Sequence, residues 1–427
     1  MNLTQKILIG MGIGLLLGAL YQWAALPEDH ILITFGLDGV IDAGGQIFIT
    51  LLKMMVVPLV FVSLVCGAAS LGDSGSVGRL GGKTIGLYLL TTALAVSLAL
   101  ALALFIGPGE GVADTMDTEG TLSFAAKESP SVKDTLVNIV PGNPVKAMAE
   151  GKMLQVILFA ILFGLALSQI GSAGAKVRDI FESLNAVLMR LISMLVQFTP
   201  YGVFCLMVTL GATLGLAEIG KVIAYFLTVV LGLVMHGAIV YPTLLVALAG
   251  LNARRFLLKL RQPLLVAFST SSSGATLPVT LRTVEHEVGV KNRIASFAIP
   301  LGATINMDGT AIMQGVATVF IAQFFGYELG ITAYLTVILT ATLASIGTAA
   351  VPGVGLITLT LVLEQVGLPV EGIALIIGVD RLLDMLRTAV NVTGDMTVAT
   401  IVARSEDQFD LETFNGAAPS SDQKLAG

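Results

Sequence analysis

The stretch DRLLDMLRTAVNVTGD, running from Asp380 to Asp395, places three aspartates and two arginines in an otherwise apolar region. Its neighbours, GIALIIGV and MTVATIVA, have the composition of lipid-embedded helix. Five charges exposed to lipid would cost roughly 12–17 kcal/mol, at about 2.5–3.5 kcal/mol each. At about 100° per residue, six polar side chains fall on one helical face, namely Asp380, Asp384, Arg387, Thr388, Asn391 and Asp395. This face is therefore predicted to point into protein or water.

The composition is that of an integral membrane protein. Of the 427 residues, 55% are hydrophobic and 12% charged, and the mean hydropathy is +0.90, whereas a soluble domain carries about 25% charged residues. The net charge of −6, without a basic patch, argues against a nucleic-acid partner. Cys66 and Cys205 lie in apolar segments and indicate no disulfide or redox role.

Eight apolar ranges are long enough to span the hydrocarbon core: 7–26, 47–71, 84–106, 153–170, 184–215, 221–250, 294–325 and 370–403. Pro58 and Pro200 predict kinks. Basic residues on alternate loops predict a multi-pass protein of the plasma (inner) membrane with both termini cytoplasmic. They are Lys6, Arg79, Lys83, Lys176, Arg178, Arg254, Arg255, Lys259, Arg261, Lys291 and Arg293.

Two further apolar stretches, 262–282 and 331–367, are interrupted at their centres by Ser, Gly, Thr and Pro. Irregular backbone at membrane depth is tolerated only where it lines a protein cavity, so each stretch is predicted to be a re-entrant hairpin. Each is followed by a span with polar residues, which suggests an inverted repeat and a transporter site at mid-membrane. The predicted fold is all-α, with eight transmembrane helices and two re-entrant helical hairpins.

The polar residues suit a dicarboxylic amino acid. Arg387 offers a planar fork for a carboxylate, Asp384 a partner for an ammonium, and Asn391 an amide for a second carboxylate. The segment NMDGT, from Asn306 to Thr310, adds an amide and a carboxylate inside a span, and an oxygen-rich site without His or Cys favours sodium. The alternatives are structural: ion pairs between helices around Asp380 and Arg381, and polar contacts between helices for NMDGT.

The motifs KMMVVPLVF, STSSSGATLP, NMDGT, SIGTAAVPGVG and DMLRTAVNVTGD, in this order, resemble the dicarboxylate/amino acid:cation symporter family, which includes glutamate/aspartate transporters and excitatory amino acid transporters. The resemblance implies a homotrimer that works as an elevator, with the second hairpin as outer gate. Residues 1–250 would be mostly scaffold and trimerisation helices, with 84–106 and 221–250 moving with the transport domain. Residues 251–404 would form the transport core. The polar composition of residues 405–427 separately predicts a disordered cytoplasmic tail.

The resemblance also implies the site residues. Arg387, Thr310 and the backbone of Gly355 would bind the substrate side-chain carboxylate; Asp384 and Thr388 would bind the amino group; Asn391 and Ser273 would bind the main-chain carboxylate. The first hairpin tip, including Ser271 and Ser272, and Val351 of the second would close around the ligand. Sodium would be bound by Tyr88, Thr91, Thr92, Gly302, Thr304, Asn306, Asp308, Ser345, Ile346, Thr348, Asn391 and Asp395.

The chain departs from the family pattern at one point. Relatives carry an arginine at the position of Ser271 or of Met385, and here Arg381, one turn from Met385, is the predicted substitute. His236 lies inside a span, where a packed, hydrogen-bonded role is expected and a proton relay is the alternative.

The predicted function is sodium-coupled symport of aspartate or glutamate across the lipid bilayer, without a cofactor or enzymatic activity. Proton coupling and a C4-dicarboxylate substrate are the alternatives within the family. From other classes, an intramembrane aspartyl hydrolase is disfavoured because no GxGD stretch occurs. A channel is disfavoured because paired closed hairpins suit occlusion better than a continuous pore.

Overall fold

The computed structural model describes residues 3–24, 27, 30–69, 75–111, 140–213, 216–345 and 353–416. Within these ranges the chain is almost entirely helical, and the only pairing of β type is an isolated bridge between Val290 and Phe409. The all-helical prediction is confirmed.

Seventeen α-helices are numbered along the described residues. They are α1 Leu3–Ala24, α2 Asp42–Ala69, α3 Gly75–Ile106, α4 Pro144–Ala149, α5 Met153–Gln169, α6 Ala175–Thr213, α7 Leu216–Met235, α8 Tyr241–Ala249, α9 Ala253–Lys259, α10 Arg261–Thr270, α11 Ser273–Thr283, α12 Asn292–Ile305, α13 Asp308–Phe324, α14 Ile331–Ser345, α15 Val354–Gln365, α16 Ile373–Ser405 and α17 Leu411–Asn415. Short π-helical segments cover Leu32–Ile41, His236–Val240 and Val284–Val288, and 3₁₀ turns cover Gly171–Gly174 and Val370–Gly372.

Helix α1 packs closely against α6 through glycines spaced four residues apart. A Cβ at Gly10 would lie 2.7 Å from the carbonyl oxygen of Pro200, and one at Gly14 would lie 2.7 Å from the carbonyl oxygen of Phe204. Small residues let helix backbones approach in a membrane, where apolar burial alone does not drive helices together. The two helices run in the same direction, since later glycines of α1 meet later residues of α6.

Helix α6 is bent. The segments Gly171–Ile192 and Gln197–Thr209 meet at 46°. Pro200 lies one turn after the bend. It has no N–H to donate to the carbonyl oxygen of the residue four positions earlier, and its ring crowds that oxygen. The kink predicted at Pro200 is therefore confirmed.

Three described helices are long and apolar enough to cross a membrane by length and composition: Gln5–Ala24, Arg79–Ile106 and Gly220–Ala249. Counting the bent pair in α6 as one span gives four. Each of the eight predicted ranges contains described helix, but several of these helices are shorter than a span, and α16 carries the charged face. The structure thus shows apolar helices typical of a membrane protein, without confirming eight spans.

The range 294–325, predicted as one span, is broken. Helix α12 ends at Ile305, Asn306 adopts an extended conformation with φ −93° and ψ 95°, and α13 begins at Asp308. The sequence favours tilts or breaks in spans longer than the minimum, and the structure places this break at Asn306. The break frees backbone and side-chain groups of the NMDGT segment in the middle of the bundle.

The stretch 262–282 folds as two helices that pack against each other, α10 and α11, separated by Ser271 and Ser272. Ser271 has a positive φ of 51°, which ends α10 and reverses the chain. In the second stretch, α14 and α15 also pack together. Residues 346–352 between them, including the predicted Ile346, Thr348 and Val351, lie outside the described residues.

The described residues 406–416 include helix α17, whereas the sequence indicated a disordered tail over 405–427. Asp410 caps α17 by accepting from the backbone N–H groups of Glu412 and Thr413. The Asp410 N–H donates to the Gly289 carbonyl at 2.7 Å, and the Lys291 N–H donates to the Gln408 carbonyl at 3.0 Å. The segment is therefore docked on the loop that precedes α12.

Two apolar clusters form the core, and α16 contributes to both. Its first part, with Ile373 and Leu383, packs into one cluster, and its later part, with Val392 and Ala403, packs into the other. The polar residues from Asp384 to Asn391 lie between these two clusters. Packing on either side therefore fixes the helix while leaving its polar face for the site.

Candidate substrate and cation site

The guanidinium of Arg387 is fully buried and held by two carboxylates of its own helix. Its Nη1 donates to Asp380 Oδ1 at 2.6 Å, and its Nη2 donates to Asp384 Oδ1 at 2.9 Å. Its Nε has no hydrogen-bond partner. Charge-assisted pairs of this kind hold the planar group in a fixed orientation. Arg387 is thus a buried cation whose Nε–H is unpaired.

Asp384 connects this cation to the second broken stretch. Its Oδ2 accepts from the backbone N–H of Gly353 at 3.2 Å, just before α15. The Arg381 Nη1 lies 3.5 Å from the same oxygen, so the arginine predicted as a substitute does lie beside the site. The Thr388 hydroxyl donates to the Asp384 carbonyl at 2.7 Å, so it satisfies its own helix.

Gly355 lies close to both Thr310 and Arg387. A Cβ on Gly355 would lie 3.2 Å from Thr310 Cγ2 and 3.3 Å from Arg387 Nη2. Three elements, α13, α15 and α16, therefore converge on the guanidinium. A residue larger than glycine at 355 would crowd that side of the guanidinium.

Asn391 joins α16 to the break before α13. Its Oδ1 accepts from the Gly309 N–H at 2.8 Å, and its Nδ2 lies 3.2 Å from the Met307 sulfur. Backbone N–H groups in the first turn of α13 have no intrahelical partner, so this side chain supplies one. The amide is buried and fixed close to Arg387.

Oxygen atoms gather around the broken segment. Asn306 Nδ2 donates to Asp395 Oδ1 at 3.0 Å and to the Asn391 carbonyl at 3.1 Å. Its Oδ1 is buried without a hydrogen-bond partner, an arrangement that costs free energy unless a donor or cation satisfies it. A Cβ on Gly302 would lie 2.5 Å from Asp395 Oδ1, so α12 and α16 approach with no room for a side chain. Oxygen ligands of this kind suit a hard cation.

A second carboxylate, Asp308, is buried among four elements. Its Oδ1 accepts from Thr92 Oγ1 at 2.5 Å, and its Oδ2 accepts from the Tyr241 hydroxyl at 2.7 Å. His236 Nε2 lies 3.2 Å from the same Oδ2, so the histidine is packed and hydrogen-bonded as expected. Sequence reasoning had linked neither His236 nor Tyr241 to Asp308, because both lie about 70 residues away.

The other residues predicted to bind cations differ in whether their hydroxyls bond to another element or to their own helix. The Tyr88 hydroxyl donates to the Ala298 carbonyl at 3.0 Å, and Thr91 donates to the Tyr88 carbonyl at 3.0 Å. Ser345 donates to the Ile305 carbonyl at 2.5 Å and accepts from the Met307 N–H at 3.3 Å. The Thr304 hydroxyl donates to the Leu301 carbonyl at 2.8 Å. Ser345 thus links α14 to the break, while the Thr91 and Thr304 hydroxyls bond within their own helices.

The first tip is less directly connected to Arg387. Ser272 caps α11 by accepting from the Ala275 N–H at 3.2 Å, and Ser273 is buried. The buried Ser271 Oγ has no hydrogen-bond partner. None of the described hydrogen bonds joins these three serines to Arg387.

Sequence comparison gives the family. The profile of the sodium:dicarboxylate symporter family matches residues 3–405. The chain belongs to that family. It is 34% identical to the proton/glutamate-aspartate symporter of Escherichia coli (strain K12), over 96% of this chain and 94% of the relative. It is also 34% identical to the proton/sodium-glutamate symport protein of Bacillus subtilis (strain 168), with the same coverage of each chain.

A eukaryotic relative, the excitatory amino acid transporter of Caenorhabditis elegans, is 35% identical over 91% of this chain and 85% of its own. These symporter relatives are transporters and not enzymes. The chain is accordingly a membrane transporter of the sodium:dicarboxylate symporter family, and the buried polar cluster on α12, α13 and α16 is its candidate site.

Proposed function

We propose that the protein is a sodium-coupled symporter for the acidic amino acids L-aspartate and L-glutamate. The observation that carries the proposal is the buried Arg387, held between Asp380 and Asp384 and facing Thr310 and Gly355. A buried cation inside a membrane protein is costly and marks a ligand or ion pathway. An acidic substrate supplies the carboxylate that such a cation binds best.

The substrate fits the charges of the site. Its side-chain carboxylate binds Arg387, which exchanges a carboxylate of its own helix for that of the ligand. The α-ammonium then binds Asp384, aided by Thr388, and the α-carboxylate binds the amide of Asn391 and Ser273. Backbone at Ser271, Ser272 and Val351 closes over the ligand. The Escherichia coli and Bacillus subtilis relatives, which are named for glutamate, support this choice.

Sodium binds where oxygens gather without enough donors. The unpartnered Asn306 Oδ1 and the carboxylate of Asp395 form one centre with the backbone of Gly302. Asp308 forms a second centre with Tyr88, Thr91 and Thr92, and a third involves Thr304, Ser345, Ile346 and Thr348. Because Asn391 contacts both the substrate and cation regions, each ligand raises the affinity for the other, as coupling requires.

Transport proceeds by an elevator movement in a homotrimer with eight spans, two re-entrant hairpins and both termini cytoplasmic. The packing of α10 on α11 and of α14 on α15 supports the hairpins. The close glycine packing of α1 on α6 supports a rigid scaffold.

Proton coupling is a second candidate. It is favoured by the names of the bacterial relatives and by the contact between His236 and Asp308. A histidine beside a carboxylate can carry a proton in place of a metal cation.

Uptake of labelled aspartate into proteoliposomes tests the proposal. An inward sodium gradient without a proton gradient is expected to drive accumulation, and glutamate is expected to compete while succinate does not. Accumulation driven only by a proton gradient would show that protons, and not sodium ions, are the coupling ions. If neither the sodium gradient nor the proton gradient drives acidic amino-acid uptake, the proposed function is overturned.

A further inference from the structure

A crevice opens between α1 and α6 on the outer surface of the bundle, with a volume of about 680 Å³. It runs beside the contact between Gly10 and Pro200, and its α6 residues lie just after the 46° bend of that helix. Close contacts at Gly10 and Gly14 hold α1 against α6 along the crevice. The crevice is therefore bounded by two helices, α1 and α6, whose relative position is fixed.

The lining is amphiphilic. Lys6 and Gln197 provide the polar part, and Phe198, Tyr201 and Phe204 provide the apolar part. Lys6 lies in the first turns of α1, whereas Phe204 lies deeper, where it meets Gly14. Polarity thus changes along the crevice in the direction in which a lipid changes from headgroup to acyl chain.

Among the described residues, no acidic side chain balances the charge of Lys6. The described residues that line the crevice include no acidic side chain, and no described residue forms an ion pair with the Lys6 ammonium. Lysine at the end of a membrane helix extends its ammonium to the interface, where anionic headgroups gather. The missing counter-charge is one that a phosphate diester provides.

The aromatic part is open to the surroundings. Phe198 is 57% exposed and Tyr201 is 72% exposed, and Ile9 on α1 is 47% exposed beside them. In a membrane these faces meet acyl chains, and aromatic rings near the headgroup level anchor the interface. We propose that this crevice binds one anionic phospholipid, with its phosphate on Lys6 and an acyl chain along Phe198, Tyr201 and Phe204.

Native mass spectrometry of the full-length protein, with either phosphatidylglycerol or phosphatidylcholine added, tests the site. Wild type is expected to retain one phosphatidylglycerol in preference to phosphatidylcholine. Lys6→Gln is expected to weaken phosphatidylglycerol retention about fivefold, the effect of one lysine near an anionic headgroup. Lys176→Gln, which removes an exposed lysine outside the crevice, is the matched control and is expected to retain the lipid as wild type does.

Two further experiments distinguish a bound phospholipid from a free phosphate compound or a second copy of the chain. Ile9→Trp fills the mouth of the crevice from an exposed position and is expected to abolish retention of the single lipid. Glycerol phosphate, which has the headgroup charge without acyl chains, is expected not to compete. The proposal is overturned if phosphatidylglycerol and phosphatidylcholine bind equally, or if Lys6→Gln and Lys176→Gln retain the lipid alike. It is also overturned if Ile9→Trp alters the oligomeric state while lipid retention stays unchanged. That last result would assign the crevice to a second copy of the chain.

Discussion

Gly309 lies directly against the backbone of Arg387. A Cβ built on Gly309 would lie 2.5 Å from the Arg387 carbonyl oxygen and 2.8 Å from its Cα. Both obstructing atoms belong to the backbone, so neither can move aside as a flexible side chain would. The start of α13 can therefore approach α16, the helix that carries Arg387, only because residue 309 has no side chain.

Gly309→Ala is expected to destabilise the protein by about 1–3 kcal/mol, the usual cost of overpacking a filled core. Thermal unfolding in detergent measures the loss. Gly86→Ala is the matched control, because a Cβ at this helical glycine meets nothing within 4 Å. Equal melting temperatures for the two variants would show that α13 and α16 are not in this contact.

Arg387→Lys keeps the positive charge but loses the planar fork that contacts Asp380 and Asp384. The apparent aspartate affinity is expected to fall by at least about tenfold, because an ammonium does not reproduce a bidentate pair. Concentration-dependent uptake into proteoliposomes measures it. Arg381→Lys, at the more exposed neighbouring arginine, is expected to have a smaller effect; the reverse order would exchange the roles of the two residues.

Asp395→Asn removes a carboxylate but can still accept from Asn306 Nδ2. The sodium concentration needed for half-maximal uptake is expected to rise at least about tenfold, since a charged ligand is lost from an oxygen site. Glu412→Gln, at an exposed carboxylate on α17, is the control. A sodium dependence identical to that of wild type would remove Asp395 from the cation site.

Glu406 forms ion pairs with Lys83 and Arg79 at the start of α3. The hydrogen bonds from Lys83 and then Arg79 lower the pKa of the Glu406 carboxyl from its ordinary value of 4.5. A lowered folded-state pKa means that the stabilisation is complete above about pH 4.5 and is lost as the pH falls through the folded value. The difference in melting temperature between wild type and Glu406→Gln is expected to narrow from pH 7 towards pH 4.

Added salt at pH 7 is expected to reduce the same difference, because solvated ion pairs are screened. Glu412→Gln again serves as the reference, since its carboxylate makes no ion pair in the described structure. A difference that stays constant with both pH and salt would exclude a contribution from these pairs.

The sequence alone predicted the helical class, the interrupted stretches and the polar face of α16, because each rests on composition or local periodicity. The cost of burying charge also predicted that Asp384, Arg387 and Asn391 face protein. These inferences need no knowledge of which helices are neighbours. The structure accordingly places all three side chains in the interior.

The break at Asn306 and the partners of Asp308 could not be predicted in the same way. The break is stabilised by bonds from Asn306 to α16, 85 and 89 residues away, and local propensity carries no information about them. His236 and Tyr241 likewise reach Asp308 only through tertiary packing. The segment after Ser405 was misjudged because its polar composition hides the buried Phe414, which packs against Phe409.

The docking of residues 408–414 affects how the protein is handled. Gly289 and Lys291 use main-chain groups of that segment as hydrogen-bond partners, so clipping the polypeptide at Ser405 would leave both without them. Affinity tags and fluorophores are better attached after Gly416, where they would not disturb the interlocked backbone. A protease that cuts near Asp410 would, for the same reason, loosen the entrance to α12 without touching a membrane helix.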